Sequence, residues 1–311
     1  QINENNENFI EKKTRFRGTK LMEETYETVD CIFCGSSEKR IFEQGNFHLN
    51  LEGPLQVVRC SSCGLFFMSP RPAKTLRKSL LKGIIPPELK TYGKSSANYS
   101  NVNKNRANIF NGRLDLLENL VRSSGAKEIL DVGSSAGSFL DVAREKGWVA
   151  YGIEPSYACF QKDYGFVRNV RSHAENLPFS DKIFDVVHAN HVFEHLINPL
   201  EAAKEINRIL KPAGLIFIEV PNQFDNIMFK RDQLFNRIPQ RKRTIRSIHH
   251  LYFFSKKTIY KLLKEADFEG ITVHDFYSWR SRGWRLPISV ITRFFGLFLG
   301  GGDRIQAFAY K

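Results

Sequence analysis

The chain has 311 residues, of which 42% are hydrophobic, so it can form one large domain or two smaller ones with a sizeable core. Its 46 Lys and Arg residues outnumber its 33 Asp and Glu residues, and the net charge of +13 favours an anionic partner such as nucleic acid, a phosphorylated substrate or a membrane face. No apolar run reaches the roughly 18 residues of a membrane helix, which argues against a membrane-spanning protein.

Two CxxC pairs follow a polar segment, residues 1–28, which is interpreted as a mobile tail because it carries no apolar period. Each CxxC turn can present two thiolates to one metal ion, and two turns complete a tetrahedral zinc site. The four ligands of this site are Cys31, Cys34, Cys60 and Cys63. A metal with four protein ligands is structural, so residues 29–72 are predicted to form a zinc ribbon. The alternative is four unrelated reduced thiols.

Cysteine usage also bears on the cellular compartment. Four cysteines fall in pairs and Cys159 stands alone, which fits a reducing compartment and a metal better than disulfides. Residues 1–30 are polar and charged and lack the pattern of a signal peptide. Both observations predict a cytoplasmic protein.

A linker, residues 73–104, is predicted between the ribbon and a larger domain, residues 105–311. A helical pattern begins near Asn105, and Gly125 is expected to end it. The apolar side of this predicted helix consists of Ile109, Leu114, Leu117 and Leu120.

The segment 128–154 is predicted as strand, turn, helix and strand. Residues 128–132 are a short apolar run, typical of a buried parallel strand. The five residues from Gly133 to Gly137 are all small, so a ligand can approach the backbone closely. The second strand leads to Glu154, and an acidic residue about 20 positions after a glycine turn grips a ribose in nucleotide-binding βαβ units.

Strands and helices continue to alternate toward the C-terminus, which is typical of an α/β fold with a parallel sheet. Further strands are predicted at 167–170, 184–190, 215–220, 271–276 and 305–310, with helices at 200–210 and 257–266. Ser255 is the predicted cap of the second of these helices.

The spacing of the glycine turn is Asp131-x-Gly133-x-x-x-Gly137, which differs from the G-x-G-x-x-G of a dinucleotide site. It resembles the first motif of class I S-adenosylmethionine-dependent methyltransferases, with Ser135 where that family usually has glycine. The later segments 174–179, 185–195 and 210–222 match the same family in order and spacing. The resemblance implies a Rossmann-like seven-stranded sheet whose last strand is antiparallel. A four-cysteine ribbon ahead of such a core is similar to sugar, glycan and natural-product methyltransferases.

The resemblance also implies a cofactor site for S-adenosylmethionine. Asp131 would lie near the amino group of the methionine part, and Gly133 would pass against the cofactor. Glu154 would hold the ribose, and the loop after the third strand would cover the adenine. The predicted cofactor residues are Asp131, Gly133, Ser135, Gly137, Glu154, Ala174, Glu175 and Asn190.

Histidines supply the candidate catalytic groups. His191 follows the fourth strand, at the carboxyl edge of the sheet where ligands of α/β proteins lie. His191, Glu194 and His195 have i, i+3, i+4 spacing, which predicts one shared helical face. His191 is a candidate to face the substrate, and His249 or His250 is a candidate base. For His191 the alternative is a cofactor-pocket or structural role, and for His249 and His250 it is a structural role.

Two insertions, residues 223–250 and 280–302, interrupt the α/β pattern. The first is either a solvated basic face or an anion-binding surface, and its basic residues are Lys230, Arg231, Arg237, Arg241, Lys242, Arg243 and Arg246. The second contains an apolar stretch, 286–299, which could lie on a membrane, cover the substrate pocket or pack in a dimer interface. The oligomeric state is left open.

The sequence therefore predicts a bacterial or archaeal methyltransferase that uses S-adenosylmethionine and contains structural zinc. Its expected acceptor is a small or carrier-linked anion, such as a sugar nucleotide, a glycan or a lipid-linked intermediate, with O-methylation favoured over C- or N-methylation. An RNA methyltransferase is the first alternative, although residues 190–193 lack the N-P-P-aromatic motif and the ribbon lacks interleaved basic and aromatic residues. A non-catalytic scaffold is the second, and the intact glycine turn argues against it.

Overall fold

The computed structural model describes residues 26–44, 55–81, 104–121, 125, 127–156, 168–226, 249–276 and 302–311. The strands are β1 (Tyr26–Glu27), β2 (Lys39–Gln44), β3 (Gln56–Cys60), β4 (Phe66–Met68), β5 (Arg71–Pro72), β6 (Glu128–Val132), β7 (Val149–Ile153), β8 (Arg168–Val170), β9 (Phe184–Asn190), β10 (Leu210–Pro221), β11 (Tyr252–Phe253), β12 (Glu269–Phe276) and β13 (Arg304–Tyr310). The helices are α1 (Lys74–Leu81), α2 (Lys104–Leu120), α3 (Ser138–Glu145), α4 (Pro199–Ile209) and α5 (Lys256–Glu265), with a 3₁₀ turn at Phe193–His195.

Seven strands form the central sheet, in the order β12-β13-β10-β9-β6-β7-β8. The five strands from β10 to β8 are parallel to their neighbours, whereas β13 runs antiparallel to both β10 and β12. This topology confirms the predicted Rossmann-like sheet with an antiparallel last strand. It places the carboxyl ends of β6, β7, β9 and β10 along one edge, where ligands of such sheets bind.

Helices cover both faces of the central sheet, as parallel strands require. Leu114 and Leu117 of α2 and Leu140 of α3 are fully buried against one face. Ile206 of α4 and Ile259 of α5 belong to the cluster on the other face. The continuous burial of β9 from Phe184 to Ala189 follows from this covering of both faces.

Helix ends are set largely by local sequence. The Ser255 side chain accepts a hydrogen bond from the Thr258 N–H, so the predicted cap of α5 is confirmed. The apolar side predicted for α2 is wrong at Ile109, which is 58% exposed. Ile109 lies five residues before the buried Leu114, at the rim of a cavity described below.

The cysteine-bearing segment forms a second, four-stranded sheet in the order β11-β4-β3-β2, here called the ribbon sheet. Its first three strands in sequence, β2, β3 and β4, form an antiparallel meander. The fourth, β11, comes from the second half of the chain and pairs with β4. Because β11 covers an edge strand, the ribbon sheet is hydrogen-bonded to the domain predicted at 105–311. A short pairing of β1 with β5 lies beside it.

Several sequence predictions fall outside the described residues. These are most of the tail, 1–25, most of the linker, 82–103, the basic insertion over 227–248 and the apolar insertion over 277–301. Within the described parts of the chain, no helix has the length and hydropathy needed to cross a bilayer.

Candidate functional site

The turn between β6 and α3 adopts the left-handed backbone that its small residues permit. Gly133, Ser135 and Gly137 all have positive φ angles, of 74°, 49° and 78°. A Cβ added at Gly133 would lie 2.6 Å from Cγ2 of Val192, so a side chain does not fit there. The Gly133 N–H donates to the carbonyl of Ile153 at 2.8 Å, which fixes the turn to the end of β7.

Glu154 closes this turn from the neighbouring strand. Its Oε2 accepts a hydrogen bond from the Ser135 N–H at 3.1 Å, and its Oε1 accepts one from the Ser156 N–H at 2.9 Å. Burial raises the pKa of Glu154, and the two backbone donors oppose that rise. The acid predicted to hold a ribose is therefore fixed beside the glycine turn.

A cavity of about 630 Å³ extends from the glycine turn to the histidines after β9. It brings together six of the predicted site residues, which are Asp131, Gly133, Ser135, Asn190, His191 and His250. Its lining residues among the described parts of the chain do not include Gly137, Glu154, Ala174, Glu175 or His249. The cavity joins the predicted cofactor turn to two of the three predicted catalytic histidines.

The structure gives Glu175 and Ala174 packing and capping contacts. The Glu175 Oε1 accepts hydrogen bonds from the N–H groups of Ile197 at 2.9 Å and Asn198 at 3.3 Å, just before α4. Ala174 is buried in the core. Their predicted contact with a cofactor stays a prediction.

A chain of buried polar residues lies beneath the cavity, and sequence analysis missed three of its members. Asp131 and the His188 Nδ1 are 2.6 Å apart, the His188 Nε2 and Arg113 Nη1 are 3.1 Å apart, and Arg113 Nη2 donates to Glu219 Oε2 at 2.7 Å. Burial lowers the pKa of His188, which favours the neutral ring. Since Arg113 only donates, His188 carries its proton on Nδ1 and donates it to Asp131.

Glu219 lies at the opposite end of this series of hydrogen bonds from Asp131. Burial alone would raise its pKa, but Arg113, Gln306 and Arg304 hold the pKa below its usual range. Arg304 and Gln306 both donate to Glu219 at 2.6 Å. The sequence contained one sign of these hydrogen bonds, because His188 and Glu219 are polar residues within otherwise largely apolar strands.

Three histidines surround the carboxylate of Glu194. The His191 Nδ1 lies 3.2 Å and the His195 Nε2 lies 3.9 Å from Glu194 Oε1. The ring centroid of His250 is 4.8 Å from that of His195. Burial alone would raise the pKa of Glu194, but the His191 hydrogen bond and the nearby histidines hold it below its usual range. Burial lowers the pKa of His250 to about 4, so its imidazole is neutral at pH 7.

The predicted helical face that would join His191, Glu194 and His195 is wrong in its geometry. His191 has a left-handed φ of 57°, and only a 3₁₀ turn follows it. The His191 N–H donates to the carbonyl of Glu219 at 2.8 Å, which holds the backbone against β10. The tight turn nevertheless brings the three side chains to one point. His249 contributes a backbone carbonyl that accepts from the His195 Nδ1 at 2.9 Å.

The four paired cysteines converge in the ribbon sheet. The Sγ atoms of Cys31 and Cys63 are 3.4 Å apart, those of Cys34 and Cys60 are 3.5 Å apart, and all four lie within 4.8 Å of one another. Four thiolates bound to one zinc at about 2.3 Å lie roughly 3.8 Å apart, so the cluster fits a tetrahedral ion. Burial opposes ionisation of Cys60, but the N–H groups of Cys63 and Ser62 and the other thiols lower its pKa to about 7.

A family model described as a methyltransferase domain matches residues 103–273, which is more than half of the chain. The chain belongs to this methyltransferase family. Its core is that of a class I S-adenosylmethionine-dependent methyltransferase, in agreement with the sheet and the turn described above.

The individual curated relatives match a smaller part of the chain than the family model does. An uncharacterized methyltransferase of Mycobacterium sp. (strain KMS) is 33% identical over 95 residues, which are 29% of this chain and 37% of that protein. The tRNA U34 carboxymethyltransferase of Nautilia profundicola is 25% identical over 154 residues, 47% of this chain and 48% of that protein. The chain thus spans less than half the length of these curated relatives.

Solved structures of similar proteins include a SAM-dependent methyltransferase from Archaeoglobus fulgidus. It has a TM-score of 0.47 and 19% sequence identity, and covers 66% of this chain and 94% of its own. Phosphoethanolamine N-methyltransferase 2 of Haemonchus contortus, in complex with S-adenosyl-L-methionine, has a TM-score of 0.43 and 17% identity, and covers 64% and 52%.

Replacing Glu154 with Ala is expected to weaken binding of S-adenosylmethionine by about 1.5–3 kcal/mol, the range for a hydrogen bond to a charged group. Isothermal titration calorimetry would show this as a roughly 10- to 150-fold rise in Kd. Glu145→Ala is the control, because Glu145 is an exposed acid at the end of α3. Equal affinities for the two folded variants would contradict a ribose-binding role of Glu154.

Proposed function

We propose that the protein transfers the methyl group of S-adenosylmethionine to a hydroxyl of a small-molecule or carrier-linked anionic acceptor. The observation that supports this most directly is the single cavity that joins the Gly133 turn to His191 and Glu194. Methyl transfer is an in-line displacement, so cofactor and acceptor have to share one enclosed space. The cavity volume of about 630 Å³ lies in the range of small-molecule sites.

His191 is the proposed base for the acceptor hydroxyl. Its side chain is 37% exposed and borders the cavity, so a bound acceptor can reach it. Its Nδ1 lies 3.2 Å from the buried Glu194 carboxylate, which only accepts hydrogen bonds when ionised. Glu194 therefore holds the proton on Nδ1 and leaves Nε2 of His191 able to take a proton from a hydroxyl.

An anionic acceptor is proposed from charge. The net charge is +13, and seven basic residues between Lys230 and Arg246 lie in an insertion outside the described residues. Within the described parts, Arg304 borders the cavity. The apolar stretch 286–299 also lies outside the described residues. Sugar nucleotides and lipid-linked sugar phosphates carry an anionic phosphate together with hydroxyl groups that can be methylated.

A structural zinc ion is proposed in the cluster of Cys31, Cys34, Cys60 and Cys63. The spacing of the four Sγ atoms supports it, and four cysteines leave the ion no open position for a substrate. When bound, this ion would tie the turn after β1 to the turn after β3, and it would take no part in methyl transfer.

The proposed function is tested by release of S-adenosylhomocysteine with a panel of acceptors. The panel contains sugar nucleotides, glycans, lipid-linked phosphates and, because a relative acts on tRNA U34, unmodified tRNA. Turnover with a hydroxylated anion supports the proposal. Turnover with tRNA alone, or binding of S-adenosylmethionine without turnover across the panel, contradicts it.

With the best acceptor of the panel, His191→Ala is expected to lower kcat at least about 100-fold, because a positioned base contributes that much or more. Affinity for S-adenosylmethionine should stay within about twofold, since His191 is assigned to the acceptor and not to the cofactor. His274→Ala is the matched control, since His274 is exposed on β12 and stacks on Phe308, away from the cavity. Unchanged kcat in His191→Ala would remove the base assignment.

A further inference from the structure

A second cluster of metal-binding groups lies at the acceptor end of the cavity. One ligand atom each of Glu194, His195 and His250 lies within 4.8 Å of the other two. All three residues border the cavity. His195 and Glu194 share the 3₁₀ turn after β9, whereas His250 comes from the segment that leads into β11. The tertiary fold brings the three together.

Hydrogen bonds orient both imidazoles for metal binding. The His195 Nδ1 lies 2.9 Å from the backbone carbonyl of His249, and the His250 Nδ1 lies 3.3 Å from the side-chain oxygen of Gln223. Carbonyl oxygens only accept, so each ring carries its proton on Nδ1 and keeps a lone pair on Nε2. Metal-binding histidines are held in this way, with the second nitrogen donating to a carbonyl or carboxylate.

The carboxylate of Glu194 provides an independent observation. Its side chain is 2% exposed, its Oε1 accepts from His191, and its Oε2 has no hydrogen-bond partner among the described residues. A buried carboxylate oxygen without a partner is costly, and a bound cation would satisfy it.

We propose that Glu194, His195 and His250 bind one divalent transition-metal ion. Two imidazoles and one carboxylate favour zinc, iron, cobalt or manganese over calcium and magnesium, which prefer oxygen ligands. Three protein ligands leave positions open for other oxygen atoms. The next step rests on the proposed function. The open positions would hold oxygen atoms of the acceptor, and the ion would lower the pKa of the hydroxyl to be methylated.

His195 has to move only slightly to bind the same ion as Glu194. Two ligands about 2.1 Å from one ion and at right angles lie roughly 3 Å apart. The His195 Nε2 is 3.9 Å from Glu194 Oε1, so it has to approach by about 1 Å, within the reach of a side chain that is 38% exposed. Binding of the ion supplies the attraction for this movement.

Cobalt alone is the probe for this site. The protein is loaded with one zinc ion per chain, which the four thiolates of the cysteine cluster bind first, and is then titrated with CoCl₂ by calorimetry and visible absorption. Wild type is expected to bind one cobalt per chain with weak d–d bands and without the intense thiolate-to-cobalt absorption that cobalt in the cysteine cluster would give. Glu194→Gln, which keeps the size of the buried side chain, and His195→Ala, at an exposed side chain, should each bind cobalt at least tenfold more weakly. His274→Ala should bind it like wild type.

Wild type that binds no cobalt, or only cobalt with thiolate absorption, would overturn the proposal. Equal cobalt affinity in Glu194→Gln and wild type would do the same. The readout is independent of methyl transfer, so the two proposals can fail separately. If the protein binds cobalt at this site but turns over no acceptor, only the proposed function is contradicted. If it turns over an acceptor but has no such cobalt site, only the metal proposal is contradicted.

Discussion

Replacing Glu219 with Leu is expected to lower the free energy of unfolding by about 3–5 kcal/mol, the cost of breaking a buried ion pair by removing one partner. The Glu219 side chain is fully buried and accepts hydrogen bonds from Arg113, Arg304 and Gln306. Leucine would leave these donors without their acceptor, two of them charged. Urea unfolding followed by circular dichroism measures the change.

The control for this variant is Glu118→Leu. Glu118 accepts from Lys127 at 2.8 Å, but the two side chains are 46% and 23% exposed. An exposed pair contributes under about 1 kcal/mol, so this variant should unfold close to wild type. If both variants lost the same free energy of unfolding, the buried hydrogen bonds of Glu219 would contribute no more to stability than an exposed ion pair.

The Glu219 contribution should also depend on pH. The pKa of Glu219 is held below its usual range in the folded protein. Its stabilisation is therefore complete above the pKa of an unfolded glutamate, about 4.3, and is lost as the pH falls through the lower folded pKa. The difference in stability between wild type and Glu219→Leu should stay constant near neutral pH and shrink below about pH 4.

Local signals in the sequence account for the predictions of the fold that are confirmed. The apolar runs of β6 and β7 predicted buried parallel strands. The prediction is confirmed because helices cover both faces of the sheet. The predicted turn of small residues is present, and Gly133 and Gly137 adopt its positive φ angles because they have no side chain to clash. Ser255 caps α5 through contacts within one turn. Each of these features depends on residues that are close in sequence.

The parts that sequence analysis missed depend on residues far apart in the chain. His188 and Glu219 meet through Arg113, which lies on α2, outside both strands. The pattern of a single sequence does not show which partner satisfies a polar residue inside an apolar strand. Here Arg113 forms the hydrogen bonds that satisfy both His188 and Glu219. His250 reaches Glu194 through the pairing of β11 with β4. A two-residue strand has no periodicity from which that pairing could be predicted.

Removing the proposed zinc ion is expected to unfold the ribbon sheet, because structural zinc in small domains supplies about 10–16 kcal/mol of apparent binding free energy. Cys60→Ser should lose the zinc found in wild type by elemental analysis. Hydrogen exchange should then speed up in β2, β3 and β4, and also in β11, which pairs with β4. Cys159→Ser is the matched control and should keep the ion.

The same pairing predicts how the loss of zinc reaches the cavity. The Met68 N–H donates to the carbonyl of Leu251 at 2.9 Å, and the Leu251 N–H donates to the carbonyl of Glu194 at 2.7 Å. His250 precedes Leu251, so an unfolded β4 releases His250, whereas the Gly133 turn is fixed by β7. Because His250 is one of the three proposed metal ligands at the cavity, Cys60→Ser should lose most of its methyl transfer and still bind S-adenosylmethionine within about twofold of wild type. Wild type that contains no zinc would contradict the zinc proposal. Full turnover by Cys60→Ser would show that methyl transfer does not depend on the ribbon sheet.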